Sequence, residues 1–276
     1  MAHLQVDFFS QALQVGSSLE VIMPEEGSGA IGVEMTAPAD PPVLYLLHGL
    51  SDDHTIWMRR TSIDRYASEY GLTVVMPGVG RSWYTDMAQG PAYWQYVSEE
   101  VPAVVERMFR VGTGRAKTFV AGLSMGGYGA MKMALTHPDR FAAAASFSGA
   151  VDMCERVAQV RARTEAAAER PLGNDELFRI RDTLLVFGDP PVVAGTDNDT
   201  FLLAERAVDS GRTLPEIYIA CGTEDFLIEH NERFHRHLTE LGIAHDYHTE
   251  PGVHEWGFWD RHVARYLAWL RERRLL

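Results

Sequence analysis

Cysteine and long apolar segments are both scarce in this sequence. The 276 residues include 2 cysteines, Cys154 and Cys221, which excludes a disulfide framework; their separation leaves a single bridge open, and two free thiols are typical of a reducing compartment. The longest apolar stretches, such as 141–147, cover about seven residues, whereas a membrane-spanning helix needs about 20. Residues 1–20 lack the basic start and apolar run of a secretory signal. We therefore expect a soluble, cytoplasmic protein without membrane insertion.

Positive charge is also in short supply. Lys and Arg total 25 against 38 Asp and Glu, so the formal net charge is −13 at pH 7. This acidic field disfavours nucleic acid and anionic membranes as partners. Arg59 and Arg60 could form a local basic pocket, although a solvated pair at a loop or helix end is the simpler interpretation. The chain is long enough for one large core or two modest ones.

Apolar segments of strand length alternate with helical patterns along most of the chain. Residues 4–8 and 19–23 favour antiparallel strands, followed by a turn at Gly27–Gly29. Short, mostly apolar runs come next, which are typical of strands buried on both faces. The alternation predicts an α/β fold, with a mostly parallel central sheet and helices on both faces. The predicted strands of this part are 43–47, 72–76, 118–121, 142–147, 217–221 and, at an edge, 244–249.

The interval 152–214 interrupts this alternation because it contains no convincing central strand. Residues 155–170 have a helical composition, and the remainder carries turn residues at 173–175, 189–191 and 195–199. About sixty residues would fold alone only marginally. We interpret the interval as a cap-like helical and loop insertion over one end of the sheet, within a single domain spanning 1–276.

The sharpest chemical feature is the segment 122–126, which reads G-L-S-M-G and fits the G-x-S-x-G pattern. It stands directly between a predicted strand and a predicted helix, which is the context of a nucleophile elbow. A serine in such a turn presents its Oγ above the sheet edge, where the next N–H and the helix N-terminus face a forming oxyanion. Ser124 is the predicted nucleophile, and a glycine-rich turn that only packs tightly is the alternative.

A serine nucleophile needs a histidine base and an orienting carboxylate, which follow it along the chain in the order acid, then histidine. Asp225 comes just after a predicted strand and is the preferred acid, but Glu224 also qualifies. Asp189 and Asp199 lie in the insertion and are weaker candidates. His254 occupies the turn between the last strand and the last helix, so it is the predicted base.

Other histidines are weaker candidates for chemistry. His230, His235 and His237 flank one helix face and could suggest a metal cluster. No carboxylate or cysteine pattern of ligand spacing accompanies them, so we predict no metal site.

The loop after the strand 43–47 is the natural source of a second oxyanion donor. There Gly49 allows close backbone approach, so the Leu50 N–H would pair with the Met125 N–H, while His48 is interpreted as a structural hydrogen-bonding residue. Several aromatic residues could line a substrate pocket, although each could simply pack a loop against the body. These are Trp57, Trp83, Tyr84, Tyr93, Trp94 and Trp256.

Four segments together resemble a known group of enzymes. They are H-G-L-S-D-D at 48–53, G-L-S-M-G-G-Y-G-A at 122–130, C-G-T-E-D at 221–225 and G-V-H-E-W at 252–256. The pattern resembles the esterase D-like branch of the α/β-hydrolases, and most closely the tributyrin esterase (EstA-like) carboxylesterases. The similarity runs from about residue 5 to residue 269, and it implies the α/β-hydrolase fold.

The resemblance also implies roles for individual residues. Ser124, Asp225 and His254 match the catalytic triad of the group, and Leu50 and Met125 match its oxyanion hole. It implies a serine carboxylesterase that hydrolyses short-chain acyl esters without a cofactor, with homo-oligomerisation as a further habit of the group. The alternatives are a thioesterase of the S-formylglutathione hydrolase type, a carbohydrate acetyl or feruloyl esterase, an acyltransferase, and a catalytically inactive binding module.

Overall fold

A mostly parallel sheet forms the centre of the computed structural model, which describes residues 1–25, 37–166 and 173–276. The predicted turn at Gly27–Gly29 lies outside the described residues, as does the end of the predicted helix 155–170. The strands of the described part are β1 (Ala2–Ser10), β2 (Val15–Met23), β3 (Val43–Leu47), β4 (Thr73–Pro77), β5 (Thr118–Leu123), β6 (Ala143–Phe147), β7 (Glu216–Gly222) and β8 (His245–Glu250). Their order across the sheet is β1-β2-β4-β3-β5-β6-β7-β8.

The helices lie between these strands. In the described residues they are α1 (Ile56–Arg60), α2 (Ile63–Tyr70), α3 (Tyr93–Gln95), α4 (Val101–Met108), α5 (Met125–Thr136), α6 (Met153–Ala166), α7 (Asn174–Phe187), α8 (Thr200–Asp209), α9 (Ile228–Glu240) and α10 (Trp256–Glu272). A π-helical turn, Tyr96–Glu100, joins α3 to α4, and a 3₁₀ turn, Arg115–Lys117, precedes β5. Pro102 stands in the first turn of α4, and the carbonyl four residues before it, Ser98 O, accepts from Arg140 Nη1.

Both faces of the sheet are covered, as the apolar strands predict. Along β3, Val43, Tyr45 and Leu47 contribute to one apolar cluster, and Leu44 and Leu46 to the other. The first cluster includes residues of α4, α5, α8 and α9, and the second includes residues of α2 and α10. β1 and β2 pair antiparallel, as does β2 with β4, and the other neighbouring strands are parallel. The predicted α/β sheet and its helical covering are confirmed.

The interval 152–214 is more helical than its turn residues suggest. The predicted turn at 173–175 is instead the start of α7, where Gly173 N donates to the Glu176 carboxylate across the first turn (3.2 Å). The predicted turn at 195–199 leads into α8, because the Asp199 carboxylate accepts from the N–H groups of Phe201 and Leu202. Turn-forming residues here cap helices.

Candidate active site

Ser124 occupies the single position between the end of β5 and the start of α5. Its backbone has φ 52° and ψ −116°, a conformation that residues other than glycine rarely adopt. Three hydrogen bonds hold it there: Ser124 N donates to Phe147 O (2.9 Å), and Ser124 O accepts from Tyr128 N (3.1 Å) and Ala150 N (3.0 Å). The strained turn is therefore fixed by the neighbouring strand and by its own helix.

Two glycines make this turn sterically feasible. A Cβ on Gly122 would lie 2.3 Å from Gly126 O, and a Cβ on Gly126 would lie 2.3 Å from Leu47 O. Both contacts are with backbone atoms, which cannot move aside as a flexible side chain would. The G-x-S-x-G pattern thus reflects the close approach of α5 to the carboxyl ends of β3 and β5.

The structure brings His254 and Asp225 next to Ser124. His254 Nε2 lies 3.1 Å from Ser124 Oγ, and His254 Nδ1 lies 2.8 Å from Asp225 Oδ2 and 3.0 Å from Asp225 Oδ1. The Asp225 side chain is fully buried, whereas that of His254 is 17% exposed. With its proton on Nδ1, facing the carboxylate, the imidazole presents an unprotonated Nε2 to the serine hydroxyl.

Glu224, the other carboxylate left open by the sequence, does not reach His254. Its Oε2 accepts from Gly252 N (2.7 Å), and its Oε1 accepts from the Thr223 hydroxyl (2.8 Å). These hydrogen bonds, that from Gly252 foremost, lower the pKa of the Glu224 carboxyl. Because Gly252 is two residues before His254, Glu224 anchors the loop that carries the histidine.

Two aromatic rings flank the imidazole of His254. Phe226 lies on one side with its ring centroid 4.5 Å away, and Trp259 lies 4.8 Å away at a near-perpendicular angle. Trp259 Nε1 donates to Ser148 Oγ (3.1 Å), so its ring is held by the body of the protein. Phe226, by contrast, is 74% exposed.

The loop after β3 is held by buried polar contacts. His48 Nδ1 donates to Gly49 O (2.7 Å), and Nε2 accepts from Val79 N (3.0 Å). Burial lowers the pKa of His48 to about 4, so it stays neutral and keeps this arrangement. The interpretation of His48 as a structural residue agrees with these contacts. Leu50, the residue after Gly49, lines the same cavity as Ser124. Met125 follows Ser124 directly and is the first residue of α5.

A cavity of about 540 Å³ opens over Ser124 and His254. Of the predicted aromatic wall residues, Trp83 and Trp256 line it, while Trp259 and Phe226 line it without having been predicted. The other four predicted residues, Trp57, Tyr84, Tyr93 and Trp94, are not among its lining residues.

Trp57, Tyr84 and Trp94 have structural contacts elsewhere. Trp57 is fully buried and its Nε1 donates to Leu47 O (3.1 Å), while the Tyr84 hydroxyl donates to His48 O (2.9 Å). The Trp94 ring stacks on His137. Each of the three packs a loop or helix against the body, which was the alternative that the sequence left open.

Three arginines in the cavity wall have no counterpart in the sequence analysis. They are Arg81, Arg156 and Arg179. Arg59 and Arg60, the pair that the sequence indicated, lie on the surface instead. Arg59 donates hydrogen bonds to the side chains of Asp53 and Thr55. The three arginines come from separate parts of the chain, so no local pattern could have revealed them.

The described residues hold neither a cluster of metal ligands nor a membrane-spanning helix. No group of three or more His, Cys, Asp or Glu side chains in 1–25, 37–166 and 173–276 is placed to hold a metal ion. His235 instead faces His245 (Nδ1 to Nε2, 2.7 Å) and stacks on Tyr247. Within the same ranges, no helix has the length and apolar character needed to cross a bilayer.

Comparison with known proteins gives a consistent result. Residues 30–270 match the family described as "Putative esterase". An acetyl esterase of Caldicellulosiruptor saccharolyticus is 28% identical over 98% of both chains. The substrate-bound structure of the Staphylococcus aureus fluorophosphonate-binding serine hydrolase F (FphF) superposes with a TM-score of 0.83, at 32% identity over 98% of both chains.

A second solved structure has a different described activity. The S-formylglutathione hydrolase (FrmB) of Staphylococcus aureus superposes with a TM-score of 0.80, at 32% identity over 98% of both chains. The resemblance to esterase-type α/β-hydrolases predicted from the motifs is confirmed. The chain belongs to the "Putative esterase" family, and it is a serine carboxylic ester hydrolase with the α/β-hydrolase fold.

Proposed function

We propose that this protein hydrolyses short-chain acyl esters through Ser124, His254 and Asp225, by way of an acyl-enzyme. The observation that carries the proposal is the continuous contact from Asp225 to His254 Nδ1 and from His254 Nε2 to Ser124 Oγ, at 2.8 Å and 3.1 Å. It lies at the floor of a cavity large enough for a small ester.

In the first step, Ser124 Oγ attacks the ester carbonyl carbon while His254 Nε2 takes the hydroxyl proton. Asp225 holds the proton on Nδ1 and stabilises the imidazolium that forms. The N–H groups of Leu50 and Met125 are the proposed donors to the tetrahedral oxyanion, and each such donor contributes about 3–4 kcal/mol to transition-state stabilisation. His254 then gives its proton to the leaving alcohol, which departs as the ester C–O bond breaks.

The second step repeats this chemistry with water. His254 removes a proton from the water as its oxygen attacks the acyl-enzyme carbonyl, and Ser124 Oγ leaves with the proton returned by His254. The carboxylic acid is released and the free hydroxyl is restored. An alcohol that reached the acyl-enzyme before water would make the protein an acyltransferase, which product analysis with added alcohols measures.

Short acyl chains are supported by the acetyl esterase relative and by the size of the cavity, about 540 Å³. A thioesterase acting on S-formylglutathione is the second candidate, because the structural relative of that description covers 98% of the chain at 32% identity. The two differ in the leaving group, and either can be displaced from the same tetrahedral intermediate.

We also propose that the chain is one domain in which 152–214 forms a cap, and that the covering part is α6 with α7. Arg156 from α6, and Phe178 and Arg179 from α7, line the cavity above Ser124. α8 has no residue in the cavity wall, and its Leu203 and Ala204 lie in the main core. Only the first two helices of the interval are therefore placed to control access.

The test is hydrolysis of p-nitrophenyl acetate and butyrate by the wild type and Ser124→Ala. The variant should lose about 10⁴-fold or more in kcat, while its thermal unfolding midpoint stays near that of the wild type. Near wild-type turnover by a folded Ser124→Ala protein would refute the proposal. Tributyrin, S-formylglutathione, acetylated xylan and feruloyl esters, assayed in parallel, rank the substrate classes.

A further inference from the structure

Arg156 is an unusual residue in the wall of the cavity above Ser124. Its guanidinium carbon lies 4.3 Å from the centroid of the Trp83 ring, so the planar group is held against an aromatic face. Its Nε is shielded from solvent and has no hydrogen-bond partner among the described residues. A largely buried charged group with an unpaired donor is costly, and proteins generally supply a partner for its charge.

The charges near Arg156 do not supply that partner. Burial, followed by the repulsion of Arg179 and Arg81, lowers the pKa of Arg156 to about 10, which leaves it protonated at neutral pH. The nearby carboxylate of Asp182 is already paired with Arg81 Nε at 2.5 Å. Arg81 also donates from Nη1 to Leu50 O (3.4 Å), so it is fixed between these two groups.

Two further carboxylates line the cavity, Asp52 and Asp175. The strongest charge effects on Arg156 nevertheless come from other arginines. Burial raises the pKa of the Asp52 carboxyl, which means that burial disfavours its negatively charged form. Arg179, the third arginine of the wall, projects from the exposed side of α7 and forms no ion pair with a described residue.

We propose that Arg156 and Arg179 form an anion-binding subsite of this cavity, and that the ester cleaved at Ser124 carries a carboxylate. The inference rests on the proposed function and specifies its substrate class. A substrate carboxylate would accept from the terminal N–H groups of Arg156, in the fork geometry that guanidinium groups favour. Stacking on Trp83 fixes the guanidinium before binding, which reduces the conformational entropy lost on association.

The subsite acts at short range, within an otherwise repulsive field. The net charge of −13 disfavours the approach of anions from a distance. Selectivity for a carboxylate must therefore come from direct contact inside the cavity. Arg161, on the exposed side of the same helix and absent from the cavity wall, offers a control with the same loss of charge.

Matched ester pairs test the inference, with the carboxylate on either side of the scissile bond. The acyl-side pair is p-nitrophenyl hemiglutarate and p-nitrophenyl valerate, and the alcohol-side pair is 4-acetoxybenzoate and 4-acetoxybenzamide. The readout is the ratio of kcat/KM for the anionic ester to that for its neutral partner, since a general loss of activity cancels in it. In at least one pair, Arg156→Gln should lower this ratio about 10-fold or more.

Arg179→Gln, at an exposed position that tolerates substitution, should lower the same ratio about 3-fold or more, and Arg161→Gln should leave it unchanged. An unaltered ratio in Arg156→Gln and Arg179→Gln, or an equal fall in Arg161→Gln, would overturn the subsite. If the wild type cleaved none of the four esters, the proposed function would fail instead. Calorimetric titration of 4-acetoxybenzoate and 4-acetoxybenzamide into Ser124→Ala protein, with and without Arg156→Gln, would then still decide the subsite.

Discussion

Asp225→Asn is the substitution that probes the proposed mechanism most sharply. Asp225 Oδ1 accepts from Leu227 N (2.9 Å), and Oδ2 lies 2.8 Å from His254 Nδ1. An asparagine keeps the first bond only if its oxygen faces Leu227, which places its NH₂ group against Nδ1. The imidazole must then carry its proton on Nε2, where it faces Ser124 Oγ as a donor and cannot accept the hydroxyl proton.

The loss expected from this tautomer change is large. It should reach about 10⁴-fold in kcat, which corresponds to about 5.5 kcal/mol of transition-state stabilisation. The fold should survive, because the amide has the size of the carboxylate and its burial does not bury a charge. The measurement is kcat for p-nitrophenyl butyrate beside a thermal unfolding curve.

Glu224→Gln is the matched control for Asp225→Asn. The glutamine oxygen can still accept from Gly252 N, so the loop that carries His254 keeps its anchor, and kcat should fall about 3-fold at most. A folded Asp225→Asn protein with more than about a tenth of wild-type kcat would refute the reasoning. So would a loss in Glu224→Gln as large as that in Asp225→Asn.

Two further predictions concern stability. Gly126→Ala should destabilise the fold by about 3 kcal/mol or more in denaturant unfolding, because the new Cβ would lie 2.3 Å from Leu47 O. Gly16→Ala is the control: with open space around its Cβ, it should change the free energy of unfolding by less than about 1 kcal/mol. Equal effects of the two substitutions would contradict the close packing of α5 on β3. Burial lowers the pKa of Lys132 from 10.5 to about 7, so the folded protein binds the proton of this ammonium group more weakly than the unfolded chain does. The contribution of Lys132 to the free energy of unfolding therefore rises between about pH 7 and pH 10. Lys132→Met leaves the acceptors Tyr84 O, Thr85 Oγ1 and Asn198 Oδ1 without their donor. The loss in free energy of unfolding relative to the wild type should be up to about 2 kcal/mol greater at pH 9 than at pH 7. A loss that does not vary with pH would show that Lys132 does not change its protonation.

The sheet and the serine turn follow from short-range features of the sequence. An apolar run such as Val43–Leu47 can be accommodated only where both faces of a strand are covered, so it predicts a central strand. Gly122 relieves a backbone contact with Gly126, within a few residues of Ser124, and the spacing of the glycines around the serine indicates the turn by itself. These predictions needed no knowledge of distant segments.

The helices α7 and α8 were missed because the same residue types form turns and cap helices. Asp199 stands in a segment rich in turn residues, yet its carboxylate accepts from the first N–H groups of α8. Whether such a residue ends a loop or begins a helix depends on whether the next turn finds an apolar partner. Here Leu203 and Ala204 pack in the main core, and that contact is tertiary.

Sequence alone thus determined the α/β sheet, the position of Ser124 in its turn and the candidates for its partners, since each depends on local sterics and apolar patterning. Beyond the family resemblance, the residues left Asp225 and Glu224 open, and the tertiary structure separates them, because adjacent side chains point in different directions and just one meets His254. It also placed Trp83, but not Trp57, in the cavity wall and gathered Arg156 with Arg179 there. Such groupings arise where distant segments converge at the carboxyl ends of parallel strands, and no spacing along the chain records them.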